Sequence, residues 1–183
     1  MLEGPKITLR LFTDADIETF VAAQNVVAEQ EPYLPPRLRS LQLMRKHYEE
    51  KKGWWDEHEG HLAIVDKADR VLGGIGFFRS SPLESGYELG YDLLRRADRG
   101  KGYVTEAVRI FSAYLFELKP VPRLQILTDA ENIASRRVAE KCGYVLEGTM
   151  KKAIFNRGEY ADLVIYALMR ENCMSLAEAL KGK

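Results

Sequence analysis

Tyr87, Leu89, Tyr91 and Leu93 alternate with Glu88, Gly90 and Asp92, the period of a strand that buries one face. Just downstream, Val104, Ala107, Val108, Phe111, Leu115 and Leu118 recur at threes and fours, which predicts a long helix with those six positions inward. The same two periods lay out the rest of the chain. Lys6 to Phe12 predicts a first strand, and Thr13 caps a helix whose face begins at Ile17, Phe20, Val21 and Gln24 and runs to about Ala28. The proline-rich stretch Glu31 to Pro36 breaks that pattern. Ser40 then caps a second helix with Leu41, Met44 and Tyr48 inward, ending near Gly53.

His61 to Asp66 and Arg70 to Arg79 predict a hairpin about the turn Asp66 to Asp69. Gly73, Gly74 and Gly76 in its second arm predict a bulge or a close backbone approach. Ser80 to Ser85 reads as a turn that leads into the Tyr87 strand. After the long helix, Pro120-Val121-Pro122 stops it and Leu124 to Thr128 predicts a strand. Glu131 to Cys142 predicts a helix closed by Gly143. Tyr144 to Thr149 and Tyr160 to Met169 predict two last strands joined by Lys151 to Glu159, in which Lys151 and Lys152 read as a solvated turn. Ser175 to Lys181 predicts a short terminal helix. The order is β-α-α-β-β-β-α-β-α-β-β, an α/β fold of the mixed-sheet kind.

Composition narrows the class. A chain of 183 residues without a repeat or linker is expected to form one domain, 1–183, with its core over about 6–170 and a short extension over 171–183. Its 46% apolar and 30% charged residues fit a globular protein. Lys plus Arg and Asp plus Glu both total 27, so no basic field points to nucleic acid. The start of the chain does not read as a signal peptide, and no apolar run is long enough to span a membrane. Cys142 and Cys173 lack metal-ligand spacing; Cys142 reads as an apolar filler in its helix. His58 and His61 offer only two ligands, too few to argue for a metal. These features together predict a cytoplasmic protein.

The chemistry sits between the Tyr87 strand and the long helix, in Arg99-Gly100-Lys101-Gly102-Tyr103-Val104-Thr105. Two glycines let the chain turn sharply and leave its N–H groups uncovered at a helix start. Such a start holds anionic oxygens, and Arg99 and Lys101 add charge. A phosphate or pyrophosphate ligand follows. The loop has neither the Walker A spacing nor the third glycine of a dinucleotide fingerprint.

Arg99-x-x-Gly102-x-Val104 resembles the pyrophosphate loop [QR]-x-x-G-x-[GA] of the GNAT superfamily of N-acetyltransferases, with Val104 departing from the usual glycine or alanine. Gly-Lys-Gly-Tyr-x-Thr-Glu-Ala, and Asn132-x-x-Ser135-x-Arg137-Val138-Ala139-Glu140-Lys141-Cys142-Gly143-Tyr144, are similar to segments of the branch of the ribosomal-protein N-acetyltransferases RimJ and RimL. The predicted element order is that of the GNAT fold, a mixed sheet splayed at its middle, and the resemblance covers about Lys6 to Arg170.

The resemblance implies acetyl-CoA as cosubstrate and a primary amine as acceptor. Arg99 to Thr105 would take the pyrophosphate. The main chain near Leu93, Leu94 and Arg95 would pair with the pantetheine arm like an added strand. Asn132 would meet a pantetheine amide, or serve only as a helix cap. Glu88 is the expected base, with Asp162 and Glu147 behind it, or else ordered water serves. Ser135 is the expected donor to the leaving thiolate, with Tyr144 in reserve. Tyr33, Leu34 and Pro35, with Trp54 and Trp55, fall where related enzymes shape the acceptor pocket. The acceptor the branch implies is a protein N-terminal α-amine. A polyamine, an amino acid or an aminoglycoside is the enzyme alternative, and a non-catalytic acyl-CoA-binding module is the other class. No metal is expected, and a homodimer is an expectation from related enzymes only.

Overall fold

The computed structural model describes residues 1–51, 55–79 and 85–182. Its strands are β1 (Leu2–Glu3), β2 (Ile7–Arg10), β3 (Glu59–Asp66), β4 (Val71–Phe78), β5 (Tyr87–Leu93), β6 (Arg123–Asp129), β7 (Val145–Asn156) and β8 (Glu159–Met169). Its helices are α1 (Asp14–Gln24), α2 (Leu41–Glu50), α3 (Tyr103–Leu118), α4 (Ile133–Lys141) and α5 (Leu176–Leu180). Single 3₁₀ turns stand at Arg96–Asp98 and Arg170–Asn172. All eight strands form one sheet in the order β1-β2-β3-β4-β5-β6-β8-β7. Every neighbouring pair is antiparallel except β5 and β6.

That parallel pair is short. It holds only Tyr87 opposite Leu124 and Glu88 opposite Gln125. Beyond it β5 stays on β4 as far as Leu93, and β6 stays on β8 as far as Asp129. The sheet therefore opens into a V at its centre.

Each face of the V has its own core, as strand alternation requires. Tyr87 and Leu89 face α3 and pack with Phe77, Ala107, Phe111, Leu115, Leu124 and Tyr166. The opposite face carries Ala63, Val65, Val71 and Leu94, covered by Phe12, Ile17, Phe20 and Val21 of α1 and its approach, with Leu41, Met44 and Tyr48 of α2 against them. The predicted inward positions of α1 and α2 hold. On α3, Leu118 does not: it is exposed, and Ile110 and Phe116 are buried instead.

The helix starts follow the predicted caps. The Thr13 hydroxyl accepts from the Asp16 amide and Asp16 accepts in return from the Thr13 amide, a capping box. Ser40, Asn132 and Ser175 cap α2, α4 and α5. The ends differ more. α1 stops at Gln24 and not near Ala28, because the Asn25 side chain turns to bond the Arg39 carbonyl and amide. α2 closes at Glu50 with Lys51 as its cap, before Gly53; Gly53, Trp54, and most of the Ser80 to Ser85 turn lie outside the described residues.

The largest correction concerns β7. It runs to Asn156, so the predicted Lys151 to Glu159 connection shrinks to a turn at residues 157–158. Lys151 and Lys152 lie on that strand, not in a turn; Lys151 Nζ meets Asp162 at 2.8 Å. Two register shifts, at Leu146/Gly148 and Met150/Ile154, break the alternation that a sequence pattern needs. The strand is also an edge strand with most side chains exposed.

The glycines of β4 make the close approach expected of them. A Cβ on Gly73 would stand 1.9 Å from the Asp92 carbonyl oxygen. Gly73→Ala should therefore cost about 3 kcal/mol through displaced backbone. Gly100 has φ +75° and nothing within 4 Å of a built Cβ, so Gly100→Ala should cost only about 1 kcal/mol of left-handed strain. Urea unfolding of both variants checks the difference.

Candidate active site

The loop from β5 into α3 is fixed from below. Asp98 is buried and receives Arg70 at 2.8 and 3.0 Å and Lys101 Nζ at 3.3 Å. Arg70 and, less so, Lys101 hold the Asp98 carboxyl below its ordinary range, against burial, which pushes it up. From the side, the Arg96 amide donates to Glu29 at 3.0 Å. Arg99 Nη2 donates to the Glu29 carbonyl at 3.1 Å and pairs with Glu31 at 3.0 Å. The Arg99 charge is thus turned towards the α1–α2 connection and shared with Glu31.

What the loop presents is its amides. Gly100 and Gly102 adopt φ +75° and +83°, a conformation glycine reaches without a Cβ penalty. Gly102 caps α3 without any side-chain bond, and among the described residues the amides from Gly100 to Thr105 have no carbonyl partner. Lys6 Nζ reaches the Lys101 carbonyl at 3.1 Å beside them. An open hollow of about 520 Å³, lined in part by Lys6, Lys67 and Lys101, adjoins the loop. Uncovered amides at a helix start, with lysines gathered around, fit a phosphate-bearing ligand. Val104 lies in the first helical turn, half-buried, so the departure from glycine or alanine falls in the helix and not in the turn.

The V supplies the other half of the site. The Leu94 amide donates to Leu72 at 2.9 Å. By alternation, Asp92 and Gly90 also turn their main-chain groups to β4, whereas Tyr91 and Leu93 turn theirs to the side that β6 has left. Those groups form an open strand edge inside the cleft. Arg95 bends back instead, its Nη1 on the Val71 carbonyl at 3.4 Å, and Leu94 is buried.

Across the V stands the start of α4. Asn132 Oδ1 accepts from the Ser135 amide at 3.1 Å. Its cap role therefore uses the oxygen and leaves the Nδ2 donor for a ligand carbonyl. Ser135 Oγ and Tyr91 Oη lie 2.9 Å apart, so a side chain from β5 crosses the V to the helix on its far wall. Burial pushes the Tyr91 phenol up to about 12, against the bond from Ser135. At neutral pH it keeps its proton. Tyr91 was not among the expected site residues, because its place in the alternation reads as core. Pairing it with Ser135 needs a contact across 44 positions.

Glu88 is half-buried at the vertex, where Gln125 Nε2 donates to its carboxylate at 3.2 Å. The runners-up are engaged elsewhere. Glu147 pairs with Arg123 at 2.7 Å and Asp162 with Lys151 at 2.8 Å. Tyr144, held in reserve for the thiolate, is buried beneath α3 and bonded to Ser112 Oγ at 2.7 Å.

The thiols fit no nucleophilic role. Burial pushes Cys142 up to about 12 and Cys173 to about 11, so neither supplies thiolate near neutrality. Cys142 Sγ instead faces the Thr105 carbonyl at 3.4 Å. Iodoacetamide at pH 8 should modify the folded protein far more slowly than its urea-unfolded form, as read by mass spectrometry; equal rates would contradict this burial.

Known proteins share this fold. RimL, a ribosomal alpha-N-protein acetyltransferase solved with coenzyme A, superposes with a TM-score of 0.77 at 21% identity, over 91% of this chain and 95% of that one. The spermidine N-acetyltransferase from Vibrio cholerae, solved with CoA and spermine, gives 0.75 at 19% identity, over 91% and 96%. The ribosomal-protein-serine acetyltransferase of Escherichia coli (strain K12) is 31% identical over 106 residues, 58% of this chain and 59% of that protein. The chain thus spans about three fifths of the length of that curated relative. A splayed mixed sheet, an uncapped glycine loop at the start of α3 and a match of residues 6–145 to the Acetyltransferase (GNAT) domain lead to one conclusion, that the chain belongs to the GNAT acetyltransferase family.

Proposed function

We propose that the protein transfers acetyl from acetyl-CoA to a primary amine by direct attack in a ternary complex, and that its acceptor class is the N-terminal α-amine of a protein. The observation that carries this reading is the V itself. It has an unpaired strand edge at Tyr91 and Leu93, uncovered amides at one end and the Tyr91–Ser135 hydroxyl pair across it. The ribosomal-protein acetyltransferase among its relatives supports the acceptor class.

Acetyl-CoA supplies an acetyl thioester. The amides of Gly100 to Thr105 and Lys6 neutralise its phosphates. Asn132 Nδ2 and the main chain of Tyr91 and Leu93 hold the arm straight. Glu88 at the vertex accepts a proton from the ammonium, which leaves a neutral amine to attack the carbonyl carbon. The developing oxyanion meets a main-chain N–H of β5. As the C–N bond forms and the C–S bond breaks, the nitrogen loses its second proton to water and Ser135 gives one to sulfur. Tyr91, protonated across the working range, passes its proton to Ser135 and recovers one from the water that took the nitrogen's. With both cysteines half-buried and their thiols pushed up, neither supplies the thiolate on which a covalent acetyl-enzyme would form.

Glu88→Gln and Ser135→Ala should each lower kcat by about a hundredfold or more, with the Kd for coenzyme A within about twofold of the parent. Tyr91→Phe should behave like Ser135→Ala, and the double variant should lose little more than either alone, because the two act as a unit. Thiol release from acetyl-CoA, with Ala-, Ser- and Met-started peptides as acceptors, is the assay. Unchanged turnover in the Glu88 and Ser135 variants would contradict the catalytic roles. Tight CoA binding without turnover of any amine would favour the acyl-CoA-binding module.

A further inference from the structure

The face of β5 turned away from α3 carries Glu88, Gly90 and Asp92 in succession. All three are half-buried, so this face is partly open beneath α1 and α2. Gly90 puts no side chain between the two carboxylates, while the His61 ring of β3 covers Gly76 beside it. A Cβ on Gly90 would meet only the Phe78 ring, at 3.5 Å, and its cross-strand partner is Gly76. Four residue steps of strand separate Glu88 from Asp92, a span of about 13 Å.

The Asp92 end is short of donors. Gln24, the last residue of α1, donates Nε2 to Asp92 Oδ2 at 2.9 Å, and the Gly74 amide also donates to this carboxyl. The oxygen of the same Gln24 amide is shut off from solvent and accepts no hydrogen bond among the described residues. An acceptor atom buried without a donor is costly, and rare unless something fills the place. Burial raises the Asp92 carboxyl above its ordinary range, and Glu31 adds to this. The bonds from Gln24 and Gly74, and the charge of Arg39, do not offset it. The groups already present thus leave the carboxylate under-compensated.

The α1–α2 connection is also met by the β7–β8 hairpin. Asn156, at the tip of the β7–β8 hairpin, donates Nδ2 to the Pro32 carbonyl in the α1–α2 connection at 2.7 Å. The hairpin therefore arches onto the connection. The Asn156 side-chain oxygen is likewise buried and accepts nothing among the described residues. An idle acceptor beside an under-compensated carboxylate favours an occupant rich in N–H groups.

We infer that the acceptor is a dication, its reacting amine at Glu88 and its second ammonium or guanidinium on Asp92 and the Gln24 oxygen, with Gly90 leaving room for the chain between them. The inference rests on the acetyl-transfer reading of the V and not on the protein α-amine as its acceptor. A protein N-terminus followed closely by Lys or Arg and a linear di- or triamine share this chemistry.

The test is kcat/KM by thiol release, on α,ω-diamines and spermidine against monoamines of matched length, and on peptides with Lys or Ala at the second or third position. Dications of suitable length should exceed their matched monocations by about tenfold or more, the scale of one charge-assisted hydrogen bond. Asp92→Asn should erase that ratio while leaving monoamine turnover within about twofold. Gln24→Met, which leaves the strand untouched, should reduce the ratio in the same direction and serves if Asp92→Asn unfolds on heating at lower temperature. A preference confined to the peptides or to the polyamines names the source. Equal turnover of mono- and dications, or a uniform loss in both variants, would overturn the inference with the enzyme reading intact. Silence with every primary amine would overturn both.

Discussion

The site depends on a pairing that stops. β5 and β6 share two register positions and then part, each still held by its other neighbour. Had the parallel ladder continued, the main chain of Tyr91 and Leu93 would be spent on β6. Because it stops, backbone polar groups stand unpaired inside the protein, a state that costs free energy unless water or a ligand meets them. The two cores on opposite faces hold the halves of the sheet rigid enough for this gap to persist. Tyr91 spans it by its side chain alone, touching the far wall at Ser135 without closing the backbone edge.

The loop at the end of β5 follows the same logic. Its amides are useful only if they stay uncovered and still, and the stillness comes from groups outside it. Asp98 pulls the loop down onto Arg70, Glu29 and Glu31 hold it sideways, and Glu106 of α3 accepts the Lys6 and Ile7 amides at 2.8 and 3.1 Å. These bonds are made before any ligand arrives, so little ordering remains to oppose binding. Glu88 and Asp92 extend the reasoning to the acceptor side. There the Gln24 side-chain oxygen, beside Asp92, is left without a donor among the described residues.

Much of this was legible from residue patterns. The alternation over Tyr87 to Leu93, the inward faces of α1 and α2, and the caps Thr13, Ser40 and Asn132 are local signals, and the structure bears them out. The glycine loop was legible because a turn and an uncapped helix start are made within a few residues. β7 was not, since an exposed edge strand with two register shifts has no apolar period. Leu118 was misread because the last turn of α3 runs past the core it faces. Tyr91 on Ser135, Arg70 on Asp98 and Gln24 on Asp92 were invisible for a different reason. Each joins residues far apart in the chain, and no spacing within one element encodes them.

The central claim is that the V and the glycine loop bind one extended, phosphate-bearing thioester. The most direct measurement is a titration of ¹⁵N-labelled protein with coenzyme A, followed amide by amide by NMR. The account predicts that Tyr91, Leu93, Gly100 to Thr105 and the Asn132 side-chain amide shift together with a single affinity. Saturating coenzyme A that leaves these signals in place, or that moves a set elsewhere on the sheet, would contradict it.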